Sequence, residues 1–226
     1  MNSTELLDLF RTQTHDIKRP YLWSDPEIWA YMNEAQNEFC RRTEGISDST
    51  SEACSVYACV GEPYSALHPS ILNIRHAQRV SDDRQVFVAN FQDIISGRLD
   101  NDYGRSRPPR LDLLPGSVDY LVIGMERNKA RLVKVPEVED TINLIIFRLP
   151  LEPIIGEDQK FEIEPVHHYS LLMWMKHLGY SKEDAETFDK TKAAEHGAKF
   201  IDYCAMAMAE QVRYKHKPRL MAYGGI

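Results

Sequence analysis

Residues 200–209 read FIDYCAMAMA, a stretch that is apolar on nearly every side of any helix it forms. A helix that is hydrophobic all round must be buried all round. A chain of 226 residues has difficulty enclosing such a helix completely. The helix therefore either runs through the centre of a helical bundle or is covered on its far side by a second copy of the protein, and we expect both.

This stretch belongs to two predicted helical segments within residues 164–211, which meet at a hinge at residues 179–181. The first segment starts near Pro165, and Gly179 is predicted to end it as a C-cap. The second segment follows Ser181, whose hydroxyl is placed to cap the Asp184 amide, and runs to about Arg213. At about 1.5 Å per residue, this last helix is longer than a compact domain requires.

The N-terminal region predicts two further helices. Residues 3–15 have the spacing of a short amphipathic helix, and Ser24 with Glu27 forms the signature of a capping box at the start of a longer one. The longer helix places one apolar face toward the core, formed by Ile28, Met32, Ala35 and Phe39. We expect this face to pack on the C-terminal helices.

Between these helical ends the periodicity changes to two, which predicts strands. The strand pattern is strongest in residues 118–147, which we interpret as an antiparallel meander. The predicted fold is therefore α+β: an antiparallel helical bundle built from both termini with an inserted antiparallel β domain. The predicted boundaries are residues 1–50 and 160–213 for the bundle, 51–159 for the β-rich domain and 214–226 for an extended C-terminal arm.

Composition places the chain among globular proteins, since 43% of its residues are hydrophobic and 27% are charged. No window approaches the roughly 20 apolar residues that a membrane-spanning helix needs, and the N-terminus lacks a secretory signal pattern. We expect synthesis in cytoplasm and no membrane partner. The four cysteines form no close pair, so we interpret them as thiols, mostly buried.

Charge is distributed unevenly along the chain. The net charge is −7, but the last fourteen residues carry four cations and no acid, so residues 1–212 carry −11. An acidic body repels phosphates, which disfavours a conventional DNA-binding function. A basic loop at residues 105–110 could still contact phosphate, but we favour the interpretation that it is a solvated loop.

The basic C-terminal segment interleaves cations with apolar side chains, a composition typical of a segment that becomes ordered on a partner. A frayed terminus is the alternative. Three residues of the apolar helix are predicted to join the same interaction surface. The predicted interface residues are Phe200, Ile201, Met208, Arg213, Tyr214, Lys215, Lys217, Arg219, Leu220, Met221 and Tyr223.

No catalytic constellation is evident, and the common hydrolase, nucleotide-binding and zinc-protease motifs are absent from the sequence. His167 and His168 diverge by about 100° on a helix, so they cannot share a metal, and we interpret them with His177 as surface or interface residues. The acids at residues 183–189 are expected to complement a helix dipole. We therefore predict no enzyme activity, no cofactor and no catalytic or metal site. The alternatives are a small cytoplasmic enzyme with an unrecognised site and a plain protein-interaction module.

Two stretches carry a family resemblance. The first is WSDPEIWAYMNEAQNEFCRR at residues 23–42, and the second is the pattern DxETxD at 184–189, KAA at 192–194 and Phe200. These resemble the first and last helices of the head-to-tail adaptor (connector) proteins of tailed bacteriophages, especially short-tailed phages with tubular tail protein A. Residues 130–150 resemble the paired strands of that family, which end in proline, whereas the segment GRSRP at 104–108 departs from its usual Gly-x-Pro.

The resemblance implies a structural protein of the virion at the head-to-tail junction. Such adaptors form a ring, typically of twelve subunits, beneath the portal protein of the capsid. The ring receives a tail tube or nozzle protein below and surrounds a channel through which genome DNA passes. An acidic lumen would let DNA slide without specific binding, because each phosphate gripped by a cation adds affinity.

Overall fold

The computed structural model describes residues 1–96, 111, 113–184 and 186–215. The chain divides into two compact units, each described separately below. The first comprises Met1–Gly45 and Pro150–Ile226, and the second comprises Ile46–Leu149.

The first unit is helical, and its core collects around one helix. This is α4 (His168–Ser181), against which α1 (Ser3–Thr14), α2 (Asp25–Arg42) and α5 (Lys190–Lys215) all pack. The connection before α4 includes a 3-10 turn at Pro165–His167. The apolar positions predicted for α2 are buried, and the Glu27 carboxylate accepts a hydrogen bond of 2.9 Å from the Ser24 amide.

Gly179 lies inside α4, because the helix continues to Ser181. A Cβ at position 179 would lie 3.1 Å from the Phe10 ring and 3.4 Å from the Trp23 indole. The Trp23 indole nitrogen also donates to the Gly179 carbonyl at 3.2 Å. Gly179 therefore allows two aromatic residues to pack closely against the helix. The prediction that Gly179 caps the helix is wrong.

A buried charge network holds the connection between α1 and α2. The Arg11 guanidinium donates to Asp16 at 2.7 Å and to the Trp23 carbonyl at 3.1 Å, and it also contacts Asp25. The same guanidinium stacks 3.6 Å above the Tyr21 ring centroid. Arg11 and Asp16 are buried as a pair, which avoids an uncompensated charge in the core.

The second unit contains a curled eight-stranded sheet with the short helix α3 (Phe91–Ser96) and a 3-10 turn at Glu52–Cys54. The strand order is β1-β8-β4-β5-β6-β7-β3, and β2 pairs with β8 beside β1. The sheet curls far enough for the Ser65 hydroxyl of β3 to donate to the Tyr57 carbonyl of β2. The strands are β1 (Ile46–Asp48), β2 (Ser55–Ala58), β3 (Tyr64–Ala66), β4 (Ile71–Arg79), β5 (Gln85–Asn90), β6 (Tyr120–Ile123), β7 (Lys129–Val133) and β8 (Asp140–Arg148).

One side of this sheet forms an apolar core. The inward positions of the central strands are small or branched hydrophobic residues, as alternation along a half-buried strand requires. The most deeply buried are Val56, Ala77, Val86, Leu121, Ala130, Leu132, Ile142, Leu144 and Ile146.

The class α+β is correct, but the predicted architecture is wrong in two respects. The structure is a mixed α+β arrangement of a curled eight-stranded sheet and, in the described residues, five α-helices, rather than an antiparallel bundle built from both termini. The helices α1, α2 and α5 pack around α4, and one side of α5 is left exposed by the other helices. The sheet is also not purely antiparallel, because β5 pairs with β6 in parallel and β8 pairs with β4, β1 and β2 instead of continuing a meander from β7.

Candidate subunit interface

The helix α5 begins at an acidic cap. The Asp189 carboxylate accepts hydrogen bonds from the amides of Lys192 at 3.0 Å and Thr191 at 3.1 Å, and the bond from Lys192 lowers the pKa of Asp189. Asp184 similarly accepts from the Thr187 hydroxyl and amide, both at 2.6 Å, which lowers its pKa. These acids therefore order the turn before α5, as their position at a helix start predicts.

One side of α5, which we call the buried face, packs on α4. It consists of Ala193, Gly197, Phe200, Cys204 and Ala207. Phe200 is fully buried, with its ring centroid 5.0 Å from that of Trp174. Burial also raises the pKa of the Cys204 thiol to about 12, so this cysteine behaves as a small hydrophobic residue.

A second apolar surface of α5 remains outside the core. It recurs at intervals of four and three residues, and we call it the exposed stripe: Ala194, Ala198, Ile201, Ala205, Met208 and Val212. Ile201 is 43% exposed and Val212 39% exposed, whereas Met208 is partly buried. The prediction that this helix runs through the centre of a bundle is therefore wrong, and cover of its far side by a second copy stays a prediction.

Charged side chains lie along one flank of the exposed stripe, with the exposed Met206 among them. The Lys199 ammonium pairs with Glu195 at 2.6 Å one turn earlier, and both side chains are more than half exposed. Asp202 and Arg213 are exposed on the same flank. The stripe covers 18 residue steps, or about 27 Å of helix. An apolar surface of this length with a polar border is typical of a surface that contacts another protein.

The predicted interface residues separate into four groups. Phe200 belongs to the core, while Ile201, Met208 and Arg213 lie at or near the surface. Tyr214 and Lys215 are helical, because α5 extends to Lys215, and their side chains are not described. Lys217, Arg219, Leu220, Met221 and Tyr223, together with the basic loop at residues 105–110, lie outside the described residues. The remaining stripe residues were missed, although their regular spacing was present in the sequence.

The adjacent histidines at the start of α4 serve separate partners. His168 is buried beside Phe161, donates from Nε2 to the Ile163 carbonyl at 2.8 Å, and accepts at Nδ1 from the Met1 ammonium at 3.1 Å. His167 Nδ1 lies 2.9 Å from the Tyr203 hydroxyl of α5. Burial lowers the pKa of both imidazoles. The prediction that His168 is a surface residue is wrong.

His177 also has a structural partner, since its Nδ1 lies 2.9 Å from the Ala193 carbonyl. Within the described residues, no group of three or more His, Cys, Asp and Glu side chains is placed to hold a metal ion. None of the helices in this part of the chain combines the length and apolar character needed to cross a membrane.

An α+β protein that leaves a long apolar stripe exposed has the kind of surface by which structural proteins contact other proteins. The comparison with family models identifies one such family. The chain belongs to the SU10 adaptor protein family, whose model matches residues 1–220. The comparison with curated proteins gives no match for this chain.

Membership of this family confirms the resemblance to phage head-to-tail adaptors. The protein is a bacteriophage adaptor with a structural role, and the family implies that it is a component of the virion that interacts with other head and tail proteins. The family is one of structural proteins rather than enzymes.

Proposed function

We propose that this protein forms a ring below the phage portal, links the capsid to the tail and lines the channel through which DNA leaves the head. The exposed stripe of α5 carries this proposal, because its own chain leaves it uncovered. Removal of these apolar side chains from water would favour association, and the net affinity is what remains after the entropy lost on binding. A second copy of the chain is the occupant that we propose for the stripe.

The spacing of the stripe indicates the kind of contact. Intervals of four and three residues place the apolar side chains in one seam along the helix, the geometry that another helix can meet by interdigitation. In a ring, each subunit presents one surface to the next and a different surface to the previous one. The stripe would supply one of these two surfaces, and a helical surface of the next subunit would supply the other.

Charge supports the remaining parts of the proposal. The net charge of −11 on residues 1–212 suits a channel that conducts DNA without retaining it. Fluorescence anisotropy with linear duplex DNA at physiological salt should therefore show only weak binding, and submicromolar affinity would contradict this part of the proposal.

The basic residues 213–226 would attach to the portal, and the tail tube or nozzle protein would occupy the opposite side of the ring.

Ring formation is tested by Ile201→Asp. The side chain is 43% exposed, so the change should leave the fold and its melting temperature nearly unaltered while it places a charge in the apolar seam. Analytical ultracentrifugation and negative-stain microscopy, with and without portal protein, should show rings for the wild type and monomers for the variant. Circular dichroism verifies the fold.

Met206→Asp is the matched control. Met206 is 65% exposed on the same helix but lies outside the stripe, so its variant should assemble. Equal loss of assembly in both variants would show that the contact does not follow the stripe. A wild-type protein that remains monomeric at every concentration, even with portal, would refute ring formation.

The role of the basic segment is tested by deleting residues 216–226, which leaves α5 intact to Lys215. We expect unchanged melting behaviour but loss of attachment to portal protein in a pull-down assay. The paired variant Lys217→Gln with Arg219→Gln keeps the apolar anchors and should chiefly slow association, because charges govern orientation and on-rate. Unchanged portal affinity after the deletion would move the attachment surface to the helical unit.

A further inference from the structure

A ring needs a second surface that receives the exposed stripe, and the helical unit offers one on the outer side of α4. Its residues recur at intervals of four, three and four through Tyr169, Met173, Lys176 and Tyr180. Tyr169 is 53% exposed, and the other three are half-buried. Tyrosine and methionine are enriched where proteins contact one another. This side of α4 is therefore a largely apolar floor that contains one cation.

The neighbouring helices complete this surface. From α5, the His196 ring stacks on the Tyr180 ring with 6.0 Å between the centroids. From α1, Gln13 donates to the Tyr169 hydroxyl at 3.4 Å and accepts from the Lys176 ammonium at 2.5 Å. We call this surface the cationic face: Gln13, Tyr169, Met173, Lys176, Tyr180, His196 and Lys199.

Lys176 carries the unbalanced charge of the cationic face. Among the described residues, its ammonium has Gln13 as its hydrogen-bond partner and forms no ion pair with a carboxylate. Burial and the nearby Lys199 ammonium both lower the pKa of Lys176. Lys199, by contrast, is paired with Glu195 at 2.6 Å. A half-buried ammonium with another cation beside it is stabilised by an incoming carboxylate.

The exposed stripe carries a matching acid. Asp202 directly follows Ile201, is exposed, and forms no ion pair within the part of the chain that the structure describes. The stripe and the cationic face lie on opposite flanks of α5, because His196 and Lys199 are about 140° and 160° from Ile201 around the helix axis. The two surfaces therefore cannot meet within one molecule, but each can meet its counterpart on a neighbouring copy.

We propose that the exposed stripe of one copy docks on the cationic face of the next copy, with Asp202 of the first paired to Lys176 of the second. Ile201 of the stripe then covers Tyr169 and Met173. Such a contact is head-to-tail, and repeated head-to-tail contacts close into a ring when the rotation between copies permits it. The inference rests on the proposed ring and names the surface that receives the stripe.

Charge reversal tests this pairing in the full-length protein. Asp202→Lys and Lys176→Glu each place like charges at every junction, and each should weaken self-association at least about tenfold. An equimolar mixture of the two variants should restore rings in which the variants alternate, because every junction then pairs opposite charges. Sedimentation velocity measures assembly, and native mass spectrometry measures ring composition. Lys18→Glu, a reversal at an exposed lysine outside the cationic face, should assemble like the wild type.

A second measurement uses no variant, so a change in folding cannot affect it. Wild-type rings are assembled from equal amounts of ¹⁵N-labelled and unlabelled copies, with portal protein where assembly requires it. They are then treated with a carbodiimide, which joins a carboxylate to an amine in contact with it. We expect a cross-linked peptide that contains Asp202 from one isotopic form and Lys176 from the other.

Two outcomes would overturn this inference while leaving the ring in place. They are wild-type rings without the cross-link, and a mixture of variants that circular dichroism shows to be folded but that forms no alternating rings. Intact rings with loss of portal binding in Lys176→Glu would overturn it too, and would assign the cationic face to the portal. Absence of wild-type rings, with and without portal, would refute the proposed function as well.

Discussion

The two apolar sides of α5 have similar compositions but different environments. Phe200, on the buried face, is completely removed from solvent, whereas Ile201, the next residue, is 43% exposed. Both sides are rich in alanine and contain large hydrophobic residues, so hydrophobicity does not distinguish them. The difference comes from α4, which packs against one side of α5 and not the other.

This difference separates a side of α5 that stabilises the fold from a side that is free to contact another chain. The buried face contributes to the free energy of folding of the helical unit, while the exposed stripe is available for association between chains. Variants on the two sides should therefore affect different measurements. Unfolding experiments report on the buried face, and sedimentation or microscopy reports on the stripe.

The largest effect on stability is expected for Phe200→Ala. Removal of a fully buried ring that contacts Trp174 should lower the free energy of unfolding by about 3–5 kcal/mol. Urea denaturation measures this change. Phe188→Ala is the control, since Phe188 is 53% exposed in the same unit and should alter stability little. Similar losses for both phenylalanines would contradict the distinction between core and surface.

The next largest effect is expected for Gly197→Ala. A Cβ at this position would lie 2.9 Å from His177 Nδ1, which itself lies within hydrogen-bond distance of the Ala193 carbonyl. Alanine has the higher helix propensity, but we expect this clash to lower the free energy of unfolding by about 1–3 kcal/mol. In a His177→Ala background the same change should be tolerated, and a double-mutant cycle by urea denaturation measures the coupling. Additive effects would exclude this contact as the cause.

A smaller effect should follow from pH. Burial lowers the pKa of His167, His168 and His196 below the ordinary value of 6.5, so the unfolded chain binds protons more readily than the folded one. Stability should be complete above pH 6.5, decrease as the pH falls below 6.5, and level off with respect to these groups below their folded pKa values.

Denaturation midpoints measured across this pH range test whether stability decreases as the pH falls. His167→Gln should reduce the slope of stability against pH. A midpoint that rises as the solution is acidified through this range would show that charged histidines are favoured in the folded state, contrary to the expectation.

The smallest effect on folding is expected for Ala205→Gln in the exposed stripe. Glutamine is a good helix former and position 205 is exposed, so the free energy of unfolding should change by less than about 0.5 kcal/mol. Ala207→Gln, two residues later on the buried face, should lower the free energy of unfolding by about 1–3 kcal/mol, because the larger side chain overpacks the core. Equal thermal stability of the two variants would remove the basis for separating the faces.

The local features of the helical unit were largely predictable from sequence. The start of α2 follows from Ser24 and Glu27, and its buried face follows from apolar spacing. Helix caps were harder to predict, because several polar residues competed for each role. Asp189 caps α5, whereas Ser181 donates to the His177 carbonyl within α4. Local spacing also could not show which side of α5 would meet α4.

The pairing within the sheet depends on distant segments and was therefore beyond local pattern reading. The parallel pair of β5 and β6 joins Phe87 with Tyr120, across a connection that gives no periodic signal of strand direction. The position of β8 between β4 and the β1–β2 pair is equally nonlocal.

The beginning of the chain is tied to a segment that is synthesised much later. The Ser3 hydroxyl donates to the Gly156 carbonyl at 2.8 Å and accepts from the Gln159 amide at 3.0 Å, and the latter pair is separated by 156 positions. At a translation rate of about 5–20 residues per second, Gln159 is synthesised roughly 8 to 31 seconds after Ser3. Ile46–Leu149 is synthesised within that interval, so the whole β-containing unit leaves the peptidyl-transferase centre before α4, around which the helical unit packs.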